Sequence, residues 1–281
     1  VLNFVLTNAH YHPADINDTF SEKVYTNYLK VIDGNKRYLL QSDIDGLNKY
    51  KTLLDEEFKE QRINFFNESY PMFQTRIQEA KSYYKEILAK PIDFTVKESI
   101  DTDYEKQPWA KNKEELKERW RKQLKLNVLS SIEDKLKLQE KDSIGKEPKK
   151  DFAALEKESR ETTLKSLNEF FEFFEEISRE EWLSVYINTL LEQFDPHTNY
   201  LAPDDKKKFD ESMAGSMEGI GAVLRKKDQY TEIVEIVAGG PAMKQGELEN
   251  GDLILKVAQG DEQPVDIGGM RQEKVVKMIK G

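Results

Sequence analysis

Gly219-Ile220-Gly221-Ala222 holds the residue types best suited to chemistry in this chain of 281 residues. Two glycines bracket one apolar residue, and a strand-like run follows at once. Without Cβ atoms at Gly219 and Gly221, the backbone can turn sharply and aim successive N–H groups at one point. Such a nest holds an anion, and beside a strand edge the fitting anion is the C-terminal carboxylate of a peptide. Other candidates are weaker. His10 and His12 have the spacing of half a metal site, but nothing suggests a third ligand, so they read as an unrestrained terminal segment. His197 follows Pro196 in a turn and reads as a helix-end cap rather than an acid–base group. Ser143 and Lys146 have Ser-x-x-Lys spacing, yet they lie in a polar Gly/Pro loop with nothing to desolvate the lysine. No catalytic residue, metal ligand or cofactor site is assigned from these residues.

The composition narrows the class. Hydrophobic residues make up 38% and charged residues 34%, with a formal net charge of −10. Long solvated helices account for both shares. An acidic chain lacks the basic footprint of a nucleic-acid binder and does not favour anionic lipid. There are no cysteines, which removes disulfides, thiolate chemistry and cysteine-ligated zinc. No apolar run approaches the ~18 residues of a transmembrane helix. The segment Val1–Leu6 is too short for a signal peptide's apolar region, and a chain starting with Val reads as a processed product whose signal peptide has been removed.

Two grammars divide the sequence near Met213. Before it, apolar residues recur at helical spacing. Thr19-Phe20-Ser21-Glu22 has the form of a capping box ahead of Val24, Tyr25, Tyr28, Leu29 and Ile32. Ser42-Asp43 offers a second cap, with one stripe running from Leu47 to Phe58. A third pattern runs from Pro71 to Leu88, closed by Pro91. Residues 92–108 read as an extended connection. A helix over 112–138 buries Leu116, Trp120, Leu124, Val128, Leu129 and Ile132, and a helical region over 152–194 holds the densest apolar cluster, including Phe170, Phe171, Phe173 and Phe174. After Met213, glycine and β-branched residues replace Leu and Lys. Strands are expected over 221–227, 230–237 and 253–257, a short helix over 242–245, and a last helix over 270–279 with Val275, Val276 and Ile279 buried.

The order of glycine nest, strand, strand, short helix, strand and helix resembles a PDZ domain of the bacterial type. It is carried by Gly219-Ile220-Gly221-Ala222, Ala238-Gly239-Gly240-Pro241-Ala242, Asn250-Gly251-Asp252-Leu253-Ile254 and Val275-Val276-Lys277-Met278-Ile279-Lys280-Gly281. Upstream, Ile32-Asp33-Gly34-Asn35-Lys36-Arg37-Tyr38-Leu39-Leu40-Gln41-Ser42-Asp43 and Asp195-Pro196-His197-Thr198-Asn199-Tyr200-Leu201 resemble the N-terminal domain of the tail-specific proteases, C-terminal processing peptidases of bacterial envelopes. The implied fold is α+β: a mainly helical domain over 1–213, then a small PDZ-like β-barrel or sandwich with two helices over 214–281, its last strand absent.

The resemblance implies a periplasmic serine endopeptidase with a Ser–Lys dyad, its lysine acting as general base. That dyad lies C-terminal to the PDZ in the family, so no catalytic residue is expected in this chain, which alone is expected not to cleave. Its share of the work is recognition. Substrate tails from unfolded or partly folded proteins would add as a strand beside Ala222, with Gly219, Ile220, Gly221 and Ala222 at the carboxylate and Leu224, Gln272, Val276 and Ile279 along the groove. Ile220 also borders the pocket for the last side chain, and a residue more apolar than Gln272 would suit an apolar tail better. An adaptor lipoprotein is an implied partner for the helices. The rival readings are a non-enzymatic PDZ adaptor with a helical docking scaffold, and a helical partner-binding element with the PDZ as spacer. A reading frame running on into a strand-rich domain with a serine and a later lysine favours the protease.

Overall fold

The computed structural model describes residues 2–11, 13–141, 149–214 and 219–280. His12, Ser143 and Lys146, raised above as candidates, lie outside the described residues. The chain divides into two compact units, Val1–Tyr200 and Leu201–Gly281.

The first unit is helical: α1 (Leu2–Asn8), α2 (Asp18–Asp33), α3 (Gln41–Leu47), α4 (Leu54–Lys59), α5 (Asn64–Leu88), α6 (Lys113–Lys141), α7 (Phe152–Glu176) and α8 (Arg179–Leu191). Helix α2 begins two residues earlier than the Thr19 capping box suggests: the Asn17 side chain accepts the Phe20 N–H at 3.2 Å. It ends where Asp33 turns back, its carboxylate accepting the N–H groups of Arg37, Tyr38 and Leu39 at 2.7–3.0 Å. Asp43 takes the Leu40 N–H and receives Arg76 of α5 through two 2.8 Å bonds, tying α3 to α5.

The structure refines several expectations. The stripe from Leu47 to Phe58 is broken by a 3₁₀ turn at Asn48–Tyr50. The region over 152–194 is two helices, because Ser178 and Glu181 form a reciprocal capping box that starts α8. The terminal segment is also anchored, not loose: Leu6 is buried, and His10 sits 3.1 Å from Thr198 Oγ1 and edge-on to Phe194. The core mixes aliphatic and aromatic side chains. Tyr28, Phe65, Phe66, Phe73, Tyr84, Phe171 and Tyr186 are fully buried, and pairs such as Tyr28–Tyr186 meet edge-on with centroids 5.4 Å apart. Leu129, Phe170 and Phe173 point outward instead.

The second unit opens with α9 (Pro203–Ala214). It continues with β1 (Ala222–Lys227), β2 (Tyr230–Ile236), α10 (Pro241–Gln245), β3 (Leu253–Ile254), β4 (Lys256–Val257), β5 (Val265–Asp266) and α11 (Gln272–Lys280). The three-stranded antiparallel sheet has the order β1-β2-β3, and β4 pairs with β5. Among the described residues these strands do not close into a barrel. The single strand expected over 253–257 is split at Leu255, whose carbonyl accepts the Ile267 N–H at 3.0 Å. Ile233, Ala242, Ile267 and Val275 form the buried centre of this small unit.

Candidate functional site

Strand β1 is an edge strand, paired on one side by β2. An edge presents a row of backbone donors and acceptors to anything that can pair with them. Pairing runs from Ala222↔Ile236 to Lys227↔Tyr230, with an irregularity between Val223 and Leu224. Such a bulge bends the strand and increases its twist. At the other end of the strand, Arg225 and Lys227 both reach Glu232 on β2, the former at 2.6 Å. The hydrogen bonds from Lys227 and Arg225 hold the Glu232 carboxyl below its ordinary range.

The loop leading into β1 is fixed through its carbonyls. Ile220 O accepts the Ala242 N–H at 2.8 Å, and Gly221 O accepts the Val237 N–H at 2.9 Å. Gly221 has φ +74°, and a Cβ there would lie 2.9 Å from Gly240 Cα and 3.0 Å from Pro241 Cδ. Only glycine satisfies both the backbone sign and the close approach. Among the described residues, no hydrogen bond draws on the N–H groups of Ile220 or Gly221. Both N–H groups stand at the head of the edge strand β1.

Helix α11 meets β1 through its first residue. Its Gln272 Nε2 donates to the Leu224 carbonyl at 2.7 Å, so Gln272 and Leu224 meet directly. That bond engages a backbone acceptor of β1. Val275 is fully buried, whereas Gln272, Val276 and Ile279 are half-buried, as are Ile220 and Leu224. Val276 belongs to this half-buried face rather than to the buried core. A residue absent from the sequence-based set also stands here. A Cβ built on Gly219 would come within 4.0 Å of Lys280 Cε and Cγ, so the Lys280 side chain runs beside the loop. The signal for it was a basic last turn of α11 directly after Ile279.

Elsewhere the weaker candidates resolve. The His197 side chain is 91% exposed and bonds Asp195 two residues back at 3.2 Å, the geometry of a turn cap. Asp18, Asp55 and Glu56 bring carboxylate oxygens within 4.8 Å of one another, but Asp55 is already held by Ser21 and Lys59 at 2.7 Å.

Comparison with known proteins agrees with this architecture. The family described as "Tail specific protease N-terminal domain" matches residues 2–204, and the PDZ domain family matches residues 210–281. The chain is 31% identical over 277 residues to the tail-specific protease of Haemophilus influenzae, covering 98% of this chain and 37% of that protein. It is 36% identical over 87 residues to the carboxy-terminal processing protease CtpA of Bacillus subtilis, covering 31% of this chain and 17% of that one. A crystal structure of the PDZ domain of a carboxy-terminal protease from Vibrio cholerae, in complex with peptide, is 51% identical; the match covers 23% of this chain and 66% of that one, with a TM-score of 0.23. The chain thus spans little more than a third of the Haemophilus relative's length. A helical domain matching over 2–204 and a PDZ domain matching over 210–281, in that order, place this chain in the tail-specific protease family.

Proposed function

We propose that this chain is the recognition portion of a periplasmic serine endopeptidase that attacks proteins from their C-terminal ends. The observation carrying the reading is that, among the described residues, no hydrogen bond draws on the N–H groups of Ile220 and Gly221, which stand at the head of an edge strand. A substrate tail adds to β1 in extended form. Its carboxylate takes the Ile220 and Gly221 donors, with Gly219 and Ala222 shaping the turn. Its main chain pairs with the open edge of β1, which gives affinity without reading sequence. Ile220, Leu224, Val276 and Ile279 receive the last apolar side chain, and Lys280 contributes positive charge beside the loop.

Gln272 has a double role in this reading. Its amide occupies the Leu224 carbonyl with the same donor chemistry as a peptide N–H, so the resting groove is latched by a side chain. A tail displaces that latch as it pairs. Displacement is feasible because a half-buried glutamine can turn its amide to solvent.

Cleavage is assigned to a Ser–Lys pair beyond residues 1–281 in the full-length protein, and this chain alone binds without cutting. The helical unit serves as a frame and as the dock for an adaptor lipoprotein. The test uses the full-length protein and a reporter ending in apolar residues. Blocking the reporter's terminus as an amide should lower kcat/KM by about ten-fold or more, because charge-assisted hydrogen bonds are lost. Equal cleavage of acid and amide reporters would refute carboxylate recognition.

A further inference from the structure

One cavity lies wholly within the helical unit. A cavity of about 250 Å³ opens between the turn after α2, the connection from α5 to α6, and α6 itself. Four cations border it: Lys36, Arg37, Arg119 and Lys122. The acid on its wall is Asp101, whose Oδ1 already accepts the Asp103 N–H at 2.9 Å. Such a cationic enclosure is unexpected in a chain of net charge −10.

The charge is incompletely answered. Arg37 Nε is buried and has no hydrogen-bond partner, a costly arrangement for a charged donor. Its guanidinium is sandwiched 5.9 Å from the Tyr104 ring centroid and 6.0 Å from that of Trp120. Lys36 points its Nζ at backbone carbonyls, those of Glu105 and Gln107, and Lys122 at that of Ser99. Carbonyls supply no formal charge. Burial and the nearby Arg119 both push the Lys36 ammonium below its ordinary range. Glu115 answers Arg119, whereas the other nearby acids are engaged elsewhere: Asp33 with three backbone N–H groups, Glu105 with Lys30 and Asp103 with Lys106.

The floor is not polar. Trp120 is held in place by its Nε1, which donates to Arg37 O at 2.8 Å, and Tyr104 by its bond to Gln123. Flat aromatic surface beneath clustered cations suits a ligand with an apolar body and one anionic end. The volume is below the roughly 300–1,000 Å³ of drug-sized sites, so the ligand is small. We propose that this cavity binds a small organic carboxylate carrying a flat apolar group, with the Arg37 guanidinium at the anion and Trp120 against the apolar part.

Phenylacetate is the probe, titrated into residues 1–281 by calorimetry and by the NMR signal of the Trp120 indole N–H. Phenylacetate should saturate with a Kd near or below about 1 mM, with phenylacetamide and inorganic phosphate each about ten-fold weaker or more. Arg37→Gln and Lys122→Gln should each weaken phenylacetate about five-fold and leave phenylacetamide unchanged. If Arg37→Gln lowers the melting temperature, Lys122→Gln, at a half-buried rim position, decides. No binding by about 10 mM, equal affinity for acid and amide, or no effect of Lys122→Gln would overturn the proposal. Phosphate binding as tight as phenylacetate would overturn the assigned ligand class.

Discussion

Replacing Gln272 should make tails bind more tightly. In the resting groove its Nε2 donates to the Leu224 carbonyl at 2.7 Å, and a strand-adding tail needs that acceptor. A net hydrogen bond of this kind is worth about 0.5–1.5 kcal/mol, which makes the latched state about two- to twelve-fold more populated than the open one. Gln272→Ala removes the donor and frees the carbonyl. Gln272→Leu does the same and adds apolar surface next to the half-buried Val276. Both variants should therefore raise apparent affinity by about two- to twelve-fold, with the leucine variant the stronger for a tail ending in apolar residues. The assay is fluorescence anisotropy with a labelled free-acid peptide and residues 1–281, with urea melts to show that the fold is retained. The position lies in the first turn of α11, so removing one amide leaves the buried Val275 anchor in place. Unchanged or weaker binding in both variants would refute the latch and make Gln272 an ordinary contact to the peptide.

Other predictions follow from single features. Gly221→Ala should cost the second unit about 1–3 kcal/mol in urea unfolding, because the new Cβ meets Gly240 Cα and Pro241 Cδ in a left-handed backbone; a neutral result would show that the loop relaxes freely. Lys280→Gln should weaken acid peptides about three-fold and flatten the salt dependence of binding while leaving amidated peptides unaffected; a parallel loss for both peptides would mean a packing role. Burial pushes the Asp33 carboxyl up to about 7 against the pull of three backbone N–H groups. Its folded value is thus above its unfolded one, so its contribution is full below about pH 4 and is lost as pH rises through about 7. Urea midpoints of the helical unit should fall across that window, and Asp33→Asn should flatten the fall; an identical profile in the variant would contradict the assignment.

The glycine turn and the first two strands were legible because their cause is local. Gly219 and Gly221 bracket a turn that side chains forbid, and β-branched alternation follows at once. The capping box Ser178-x-x-Glu181 was equally local, but it lay inside a dense apolar helical region and was not singled out. Phe170, Phe171, Phe173 and Phe174 cannot share a face at 3.6 residues per turn, which explains why Phe171 is buried while Phe170 and Phe173 are exposed. Leu129 beside Val128 is the same case. Where Asn17 displaces Thr19 as cap, two acceptable residues stand close together and tertiary packing chooses. The break at Leu255 depends on pairing with Val265 and Asp266, a partner choice that no local pattern carries. Helix spacing grouped Gln272 with Val276 and Ile279, all half-buried, but the bond from Gln272 to Leu224 spans 48 residues. The cavity was out of reach for the same reason, since Arg37 and Arg119 come together only in the folded helices.

The amide resonances of Ile220 and Gly221 provide the most direct test of tail recognition. In residues 1–281, a peptide with a free carboxylate and apolar last residues should shift both strongly downfield, and the same peptide with an amidated end should bind about ten-fold more weakly with much smaller shifts at these two positions. Equal affinity for both peptides, or binding that leaves the Ile220 and Gly221 amides unmoved, would contradict a carboxylate held at the head of β1.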